Sequence, residues 1–459
     1  MSKFEPHEYQ LHCIERLVNE PAVGLFLRPG LGKTAITLTA AHELKYLRWA
    51  VQKVLVVAPK TVAEGTWSTE AQKWDHLKQL RISKVLGTEK QRLAALAQNA
   101  DVYVTNRENV VWLVDHYRQR WPFDMVVLDE STSFKSPSSK RFKALRSVRK
   151  FVARMVLLTG TPSSNSIADL YSQIYLLDEG KRLGRTLTAF RQAYFASNAH
   201  GGHFVTYEPL PGAEQAVLDK ISDLCISMSA EDYLQLPDLI ETEVPVVLGD
   251  KVQKGYKQFE RELVLPVDGE DIMAQSAAVL TNKLLQYAAG AVYDEDGTAH
   301  DIHDKKVEAL LELLERLHEP CLVFYGFQSD KDKILAAVQN AGYKARCYKD
   351  HADAEAWNAG EVDVLLAHPA SCAYGLNLQA GGRNVIWYTP NWSFELNDQG
   401  VCRLWRQGSK ADKVFVWYLV AQNTVDEDVV AAVKRKTATH ETVMSVLKAR
   451  IDKAKKEVS

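Results

Sequence analysis

A glycine-rich segment early in the sequence contains the residue types that bind phosphate. It reads VGLFLRPGLGKTAITLTAA, where an apolar run precedes Gly30 and Gly32, and Lys33 and Thr34 open a helix-like stretch. Glycines let backbone amides surround phosphate oxygens, and the start of a helix favours negative charge. The lysine neutralises the outer phosphates and the threonine hydroxyl binds Mg²⁺. The strict P-loop string has glycine where this chain has Leu27, so the prediction depends on GLGKT between a strand and a helix.

Two adjacent carboxylates follow a second apolar run. Asp129 and Glu130 come directly after residues 125–128, whose sequence MVVL is typical of a buried strand. Nucleotide hydrolysis needs an acid that holds Mg²⁺ and a base that activates water. We assign these roles to Asp129 and Glu130 respectively. An acid after a strand can instead cap a helix, but the glycine-rich loop upstream favours the catalytic interpretation.

Three polar residues near the end of the sequence have helical spacing. Gln399, Arg403 and Arg406 stand at i, i+4 and i+7, which predicts that they share one face of a helix. Two guanidinium groups on such a face can act as arginine fingers on the charge that develops at a γ-phosphate. The alternative is an exposed basic helix face.

Short apolar runs between helix-like stretches predict the elements that position these residues. The pattern is typical of βα units around parallel strands, in two sets that predict two α/β lobes. The predicted strands are 23–27, 54–58, 102–105, 125–128 and 155–159, then 321–325, 362–367, 384–388 and 414–419. The region between the sets, about 168–317, has a mostly helical pattern. We therefore expect lobe 1 over 1–238 with a helical insertion at about 166–235, and lobe 2 over 239–459 with one at about 250–300.

Read in order, these motifs resemble those of the Swi/Snf-type DNA translocases of helicase superfamily 2. The resemblance covers nearly the whole chain. It is carried by PHEYQ (Q-motif), GLGKT (motif I), APK and VT (DNA-backbone motifs of the first lobe), DESTSFKSPSSKRFKAL (motif II), LLTGTPSSN (motif III), LPD, LVFY (motif IV), GLNLQ (motif V) and QGVCRLWRQG (motif VI). It implies an α/β fold of two tandem RecA-like (P-loop NTPase) lobes with helical insertions, and ATP and Mg²⁺ as cofactors.

The resemblance also implies roles for individual residues. Tyr9 and Gln10 would contact adenine, and Gly375 would belong to the ATP site. Thr159, Gly160 and Thr161 would couple the lobes. Departures from the family pattern are DEST in motif II, RQGS where the family has the order Arg-x-Gly-Gln, and MSAEDYLQ before LP. The sequence lacks long flanking segments, and in this respect it resembles the minimal phage or bacterial members of the family.

The balance of charge hides an uneven distribution. The chain has 56 basic and 58 acidic residues, a formal net charge of −2 that alone disfavours a nucleic-acid partner. Residues 131–168, however, contain no acidic residue. The cations of this stretch are Lys135, Lys140, Arg141, Lys143, Arg146, Arg149, Lys150 and Arg154. Such density suits binding to a phosphate backbone, although a solvated helix face has the same pattern.

Candidate DNA contacts come from this stretch, from polar groups at strand ends and from one tryptophan that could stack on a base. They are Lys60, Thr105, Lys135, Lys140, Arg141, Ser371, Asn377 and Trp392. The expected partner is double-stranded DNA, gripped through its backbone by both lobes. Alternatives are a strand-separating DNA or RNA helicase and a DNA-binding P-loop module with a vestigial ATPase.

Composition excludes several other classes. With 46% hydrophobic and 25% charged residues, the chain is neither collagen-like, coiled-coil nor disordered. The six cysteines form no CxxC pair, so a zinc ribbon or disulfide framework is not indicated. Two HxxH pairs, His200 with His203 and His300 with His303, are the only motif for a metal site or a nuclease, and we interpret them as loop histidines. No signal peptide or membrane-spanning run is present, so we expect a cytoplasmic monomer (in the host cytoplasm if phage-encoded) whose specificity comes from partner proteins.

Overall fold

A computed structural model describes residues 3–160, 162–163, 166–200, 204–228, 237–264, 270–372, 377–406, 409 and 411–435. The chain divides into two compact units, Met1–Leu234 (unit 1) and Gln235–Ser459 (unit 2). Across the described ranges, no helix has both the length and the apolar character needed to span a membrane.

Unit 1 is built on a seven-stranded parallel sheet. Its strands are β1 (Ala22–Leu27), β2 (Val54–Ala58), β3 (Ile82–Val85), β4 (Val102–Asn106), β5 (Met125–Asp129), β6 (Arg154–Thr159) and β9 (Cys225–Met228). They lie in the order β3-β4-β2-β5-β6-β1-β9. The central strands are buried along almost their whole length, which explains their nearly continuous apolar sequences.

Helices and one hairpin complete unit 1. The hairpin pairs β7 (Phe195–His200) with β8 (Phe204–Pro209). The helices are α1 (Glu8–Asn19), α2 (Lys33–His42), α3 (Trp67–Lys73), α4 (Glu89–Leu96), α5 (Val110–Tyr117), α6 (Lys140–Val148), α7 (Ala168–Asp178), α8 (Leu187–Tyr194) and α9 (Ala213–Ile221).

Unit 2 contains a six-stranded parallel sheet in the order β10-β17-β16-β13-β15-β14. Its strands are β10 (Asp238–Val246), β13 (Cys321–Phe324), β14 (Ala345–Cys347), β15 (Val364–Ala367), β16 (Asn384–Trp387) and β17 (Lys413–Ala421), beside a hairpin of β11 (Ala291–Tyr293) and β12 (Ala299–Asp301). The helices are α10 (Asp250–Val264), α11 (Glu270–Ala289), α12 (Lys305–Leu317), α13 (Gln328–Asn340), α14 (His351–Asn358), α15 (Pro369–Cys372), α16 (Phe394–Val401) and α17 (Val425–Lys434).

The predicted α/β fold with two parallel-sheet cores is confirmed. All nine apolar runs predicted as strands are strands, with ends that differ by no more than two residues. Continuous apolar runs of this kind arise because parallel strands are covered on both faces.

The region between the two sets of strands is less helical than its sequence predicts. It contains both hairpins, and β9 and β10 each join a main sheet as an edge strand. In β10, Glu241 and Glu243 alternate with less exposed residues, a pattern that suits an edge strand. These carboxylates interrupt the apolar sequence, so β10 lacks the continuous apolar run by which the other strands were predicted. Strand β9 is only four residues long, too short for a periodic signal.

Candidate nucleotide and nucleic-acid site

The glycine-rich loop connects β1 to α2, as predicted. Gly30 and Gly32 have φ angles of 92° and 77°, in the left-handed region that favours glycine. Gly32 is the N-cap of α2, and Lys33 is the first residue of that helix. The Lys33 ammonium donates to the carbonyl oxygens of Leu27, at 2.5 Å, and Arg28, at 3.3 Å. The loop therefore has the strand–loop–helix geometry of a phosphate cradle.

Two side chains of α1 brace this loop. The Tyr9 hydroxyl and the Gln10 amide both donate to the Leu31 carbonyl, at 3.2 and 3.4 Å. A Cβ atom on Gly32 would lie 2.6 Å from Gln10 Nε2, so the amide packs directly on the loop. Burial raises the pKa of Tyr9 to about 12. The structure brings both predicted adenine contacts to the loop, while adenine binding itself stays a prediction.

The two carboxylates lie at the same edge of the sheet as the loop. Strand β6 separates β5 from β1, with Asp129 paired to Leu158 and Thr159 paired to Phe26. Because all three strands are parallel, their carboxyl ends meet at one edge. Burial, and then the Glu130 charge, raise the pKa of Asp129 to about 6, and the Lys33 charge acts in the opposite direction. Lys33 and Asp129 are therefore close enough to interact electrostatically.

A residue that sequence reasoning missed contacts Asp129. Trp67 opens α3, its side chain is 1% exposed, and its indole N–H donates to Asp129 Oδ2 at 3.0 Å. A lone tryptophan in a helical stretch has the same sequence signal as a core residue, so no pattern distinguishes this contact.

Glu130 is held by hydroxyl groups. Its backbone is left-handed, with φ 57°, which is uncommon for a residue with a Cβ atom. Its Oε1 atom accepts from the Thr159 hydroxyl at 2.8 Å and from the Thr132 hydroxyl at 3.2 Å. Since Thr159 is fully buried at the end of β6, the carboxylate orientation depends on that strand.

The segment after Thr159 packs against the glycine-rich loop. A Cβ atom on Gly160 would lie 3.0 Å from Pro29 Cδ, so only glycine allows this approach without displacement. Thr161, the third predicted coupling residue, lies outside the described residues. Thr34, the predicted Mg²⁺ ligand, is half-buried in the first turn of α2. Thr159 and Gly160 thus connect the Glu130 side chain to the loop.

The predicted DNA contacts of unit 1 fall into different environments. The Lys60 side chain is 73% exposed. Lys140 is exposed at the start of α6, and Arg141 beside it is half-buried. Lys135 pairs with Asp169 at 3.2 Å.

Thr105 is the exception among these predicted contacts, because its side chain is fully buried. Its hydroxyl donates to the Val85 carbonyl at 2.9 Å. The hydroxyl therefore supports the pairing of β3 and β4 and is not presented to a phosphate, which corrects the prediction.

Two cations of the acid-free stretch are also structural. Arg149 donates to the carbonyl oxygens of Val152 and Leu177, each at 2.8 Å, and burial lowers its pKa. Arg154 donates to the Leu17 carbonyl at 3.1 Å. The exposed cations of this stretch are Lys140, Lys143, Arg146 and Lys150.

The predicted DNA contacts of unit 2 come after two strands of its sheet in sequence, β15 and β16. Ser371 is exposed in α15, after β15, and Asn377 is exposed nearby in sequence. Trp392 is partly buried, packs against the apolar core and has a buried indole nitrogen. Gly375, the predicted ATP contact, lies outside the described residues.

The predicted helix face in motif VI is wrong. Gln399 lies in α16, but this helix ends at Val401, and Arg403 and Arg406 lie in the turns that follow. After Val401 the regular i−4 pattern of backbone hydrogen bonds is lost: Arg403 N–H donates to Gly400 O, three residues back, and Arg406 N–H donates to Leu404 O, two residues back.

The residues after the helix end are packed into unit 2. Leu404 and Trp405 are both buried, and the Trp405 indole donates to the Pro237 carbonyl at 2.7 Å. The turn leaves the Arg403 guanidinium buried, with Nε donating to Gln399 O, whereas Arg406 donates to Asn377 Oδ1 at 2.6 Å.

His300 and His303, the one HxxH pair within the described ranges, belong to no cluster of metal ligands there. His300 contacts Asp294 at 2.8 Å, whereas His303 is buried, contacts the Tyr287 carbonyl and has its pKa lowered by burial to about 4. Within the described ranges no group of three potential metal ligands occurs. His203 and the His200 side chain lie outside those ranges.

Comparison with known proteins identifies similar sequences. The family model for the SNF2-related domain matches residues 9–288. Putative protein p41 of Acyrthosiphon pisum secondary endosymbiont phage 1 is 36% identical over 98% of this chain and all of that protein. The DNA repair protein rhp54 of Schizosaccharomyces pombe is 23% identical over 93% of this chain, which spans only 56% of that protein.

Solved structures show a similar fold. The Hef helicase domain of Pyrococcus furiosus superimposes with a TM-score of 0.52 at 16% identity, over 94% of this chain and 98% of that one. A SWI2/SNF2 ATPase core from Sulfolobus solfataricus, solved in complex with dsDNA, gives a TM-score of 0.45 at 19% identity, over 98% and 97% of the two chains. The α/β architecture is thus similar in fold to that of the Hef helicase domain.

Proposed function

Because this chain belongs to the SNF2-related family and is a DNA-dependent ATPase of that family, we propose that it translocates along double-stranded DNA as it hydrolyses ATP. The observation that supports ATP hydrolysis is the meeting of Lys33, Asp129 and Glu130 at one sheet edge. Rhp54, a relative that aligns with 93% of this chain at 23% identity, is a DNA repair protein, in keeping with a DNA substrate.

The residues at this edge fit ATP and Mg²⁺. The left-handed glycines form a cradle into which Lys33 projects, and the hard oxygen atoms of Thr34 and Asp129 are the ligands that Mg²⁺ prefers. Bound Mg²⁺ would neutralise charge on the outer phosphates. Glu130 would accept the proton of the attacking water, and the Thr159 hydroxyl would keep its carboxylate oriented.

We propose that unit 2 supplies Arg406 as an arginine finger during hydrolysis. Arg406 is half-buried and donates to Asn377 Oδ1, a neutral amide acceptor that binds a guanidinium less strongly than a phosphate oxygen does. Arg403 is buried, so as a second finger it would first have to leave its bond to Gln399 O. Removing a finger costs orders of magnitude in kcat with little effect on nucleotide binding.

Translocation without strand separation is the preferred mode of movement. The supporting observations are the match to the SNF2-related model and the exposed cations of α6, which suit a backbone rather than bases. Because the p41 relative is phage-encoded, we propose that the protein acts in the cytoplasm of a phage-infected host. We also propose that it acts as a monomer, with partner proteins that supply specificity.

The deciding experiment compares ATPase rates with duplex DNA, single-stranded DNA, RNA and no polymer. We expect the largest stimulation by duplex DNA. A triplex-displacement assay and a forked-duplex assay run beside it, and displacement without unwinding is expected. Unwinding without triplex displacement would favour a strand-separating helicase, and equal rates in all four reactions would favour a vestigial ATPase.

A further inference from the structure

Trp67 stands out among the buried side chains because its polar atom reaches the nucleotide site. Its helix, α3, packs on α2, the helix that Lys33 opens. The indole is 1% exposed and its N–H donates to Asp129 Oδ2 at 3.0 Å. An apolar residue of similar size would fill the same space without this bond, so the donor is the feature that needs an explanation.

The indole N–H can donate a hydrogen bond but cannot accept one or bind a metal. It therefore fixes one oxygen of the Asp129 carboxylate without competing for a cation. In metal sites, partners that orient a ligand in this way are worth about 10–100-fold in metal affinity or activity. The bond also compensates one oxygen of a half-buried carboxylate.

We propose that Trp67 is a positioning residue that holds the Asp129 carboxylate in the orientation in which it takes Mg²⁺ with the nucleotide. The inference rests on the proposed function, since it assumes that Asp129 is a metal ligand. It assigns a role to a residue that touches neither nucleotide nor metal.

A matched pair of variants tests the proposal. Trp67→Phe removes the donor, and Trp121→Phe removes an indole that is also buried in unit 1 but whose nitrogen has no partner within the described structure. The measurement is binding of a fluorescent ADP at increasing Mg²⁺, which requires no turnover. We expect the half-saturating Mg²⁺ concentration to rise about tenfold for Trp67→Phe and to stay unchanged for Trp121→Phe. Binding in EDTA is expected to be the same in both variants.

A double-mutant cycle with Asp129→Asn separates positioning from a general packing effect. If Trp67 acts through Asp129, Trp67→Phe adds no further shift in Mg²⁺ dependence once Asp129→Asn is present. Trp67→Met, whose flexible side chain fills the site without a donor, replaces the phenylalanine variant if that variant does not fold.

Three outcomes would overturn the proposal. One is a wild-type Mg²⁺ dependence in Trp67→Phe or Trp67→Met, and another is an equal shift in Trp121→Phe. The third is an unchanged Mg²⁺ dependence in Asp129→Asn alone, which would place the failure in the proposed metal role of Asp129 and not in Trp67.

Discussion

Glu130 combines an unfavourable backbone with a well-defined side-chain environment. A left-handed φ costs a residue other than glycine of the order of 1 kcal/mol, and such conformations concentrate at functional sites. The hydroxyl groups of Thr159 and Thr132 fix the carboxylate at the sheet edge where the glycine-rich loop begins. The orientation of this one side chain therefore depends on two separate segments of unit 1.

Glu130→Gln is expected to reduce kcat by about 100-fold or more and to leave nucleotide binding intact. The amide oxygen can still accept from Thr159, but glutamine cannot take a proton from water. ATPase turnover and fluorescent-nucleotide binding measure the two effects. Glu179→Gln is the control, because Glu179 is also left-handed, with φ 59°, but exposed at the end of α7. Normal turnover in Glu130→Gln would remove Glu130 from its assigned role.

The sequence predicts strands more reliably than it predicts contacts between individual side chains. Buried strands such as β2 and β5 were predictable because burial on both faces demands an unbroken apolar run. The helix face in motif VI was not, because the residues after Val401 make contacts with segments distant in sequence, such as the bond of the Trp405 indole to the Pro237 carbonyl, which helical spacing does not reveal. Trp67 was missed for the same reason, since its partner Asp129 lies far away in sequence.

Gly32→Ala is expected to weaken nucleotide binding about tenfold, since the new methyl group displaces the Gln10 amide and strains the loop. Gly212→Ala is the matched control. Both glycines are left-handed N-caps, with φ 77° and 78°, but a Cβ atom on Gly212 meets nothing within 4 Å. Thermal unfolding is expected to report a similar backbone penalty in both variants, and nucleotide affinity should change only in Gly32→Ala. Equal affinities in the two variants would contradict the bracing role of Gln10.

At the scale of the whole molecule, the near-neutral net charge conceals a local excess of cations. The acid-free stretch contributes Arg149 and Arg154 to the fold, where they bond to carbonyl groups. It also leaves four cations exposed: Lys140, Lys143, Arg146 and Lys150. Only this exposed part is available to bind a phosphate backbone, so the sequence alone overstated the size of the basic surface.

Replacing Lys140 and Lys143 together by alanine is expected to weaken duplex binding. The magnitude of the slope of log affinity against log salt concentration should fall by about 1 to 2, because binding releases fewer counterions for each phosphate contact that is lost. Fluorescence anisotropy across a salt series measures this slope. The control replaces Lys251 and Lys254, which have the same spacing and are exposed on α10. A slope that falls equally in the control would show that α6 has no special part in binding.

The two edge strands that flank the connection between the units have a mechanical consequence. Strand β9 pairs with β1, the strand that leads into the glycine-rich loop, over four residues, and β10 pairs with β17 over nine. Tension carried by the backbone from β9 to β10 would load these two ladders, which differ in length. Under load, the shorter ladder beside β1 would yield first, so the attachment next to the nucleotide loop is the weaker of the two anchors.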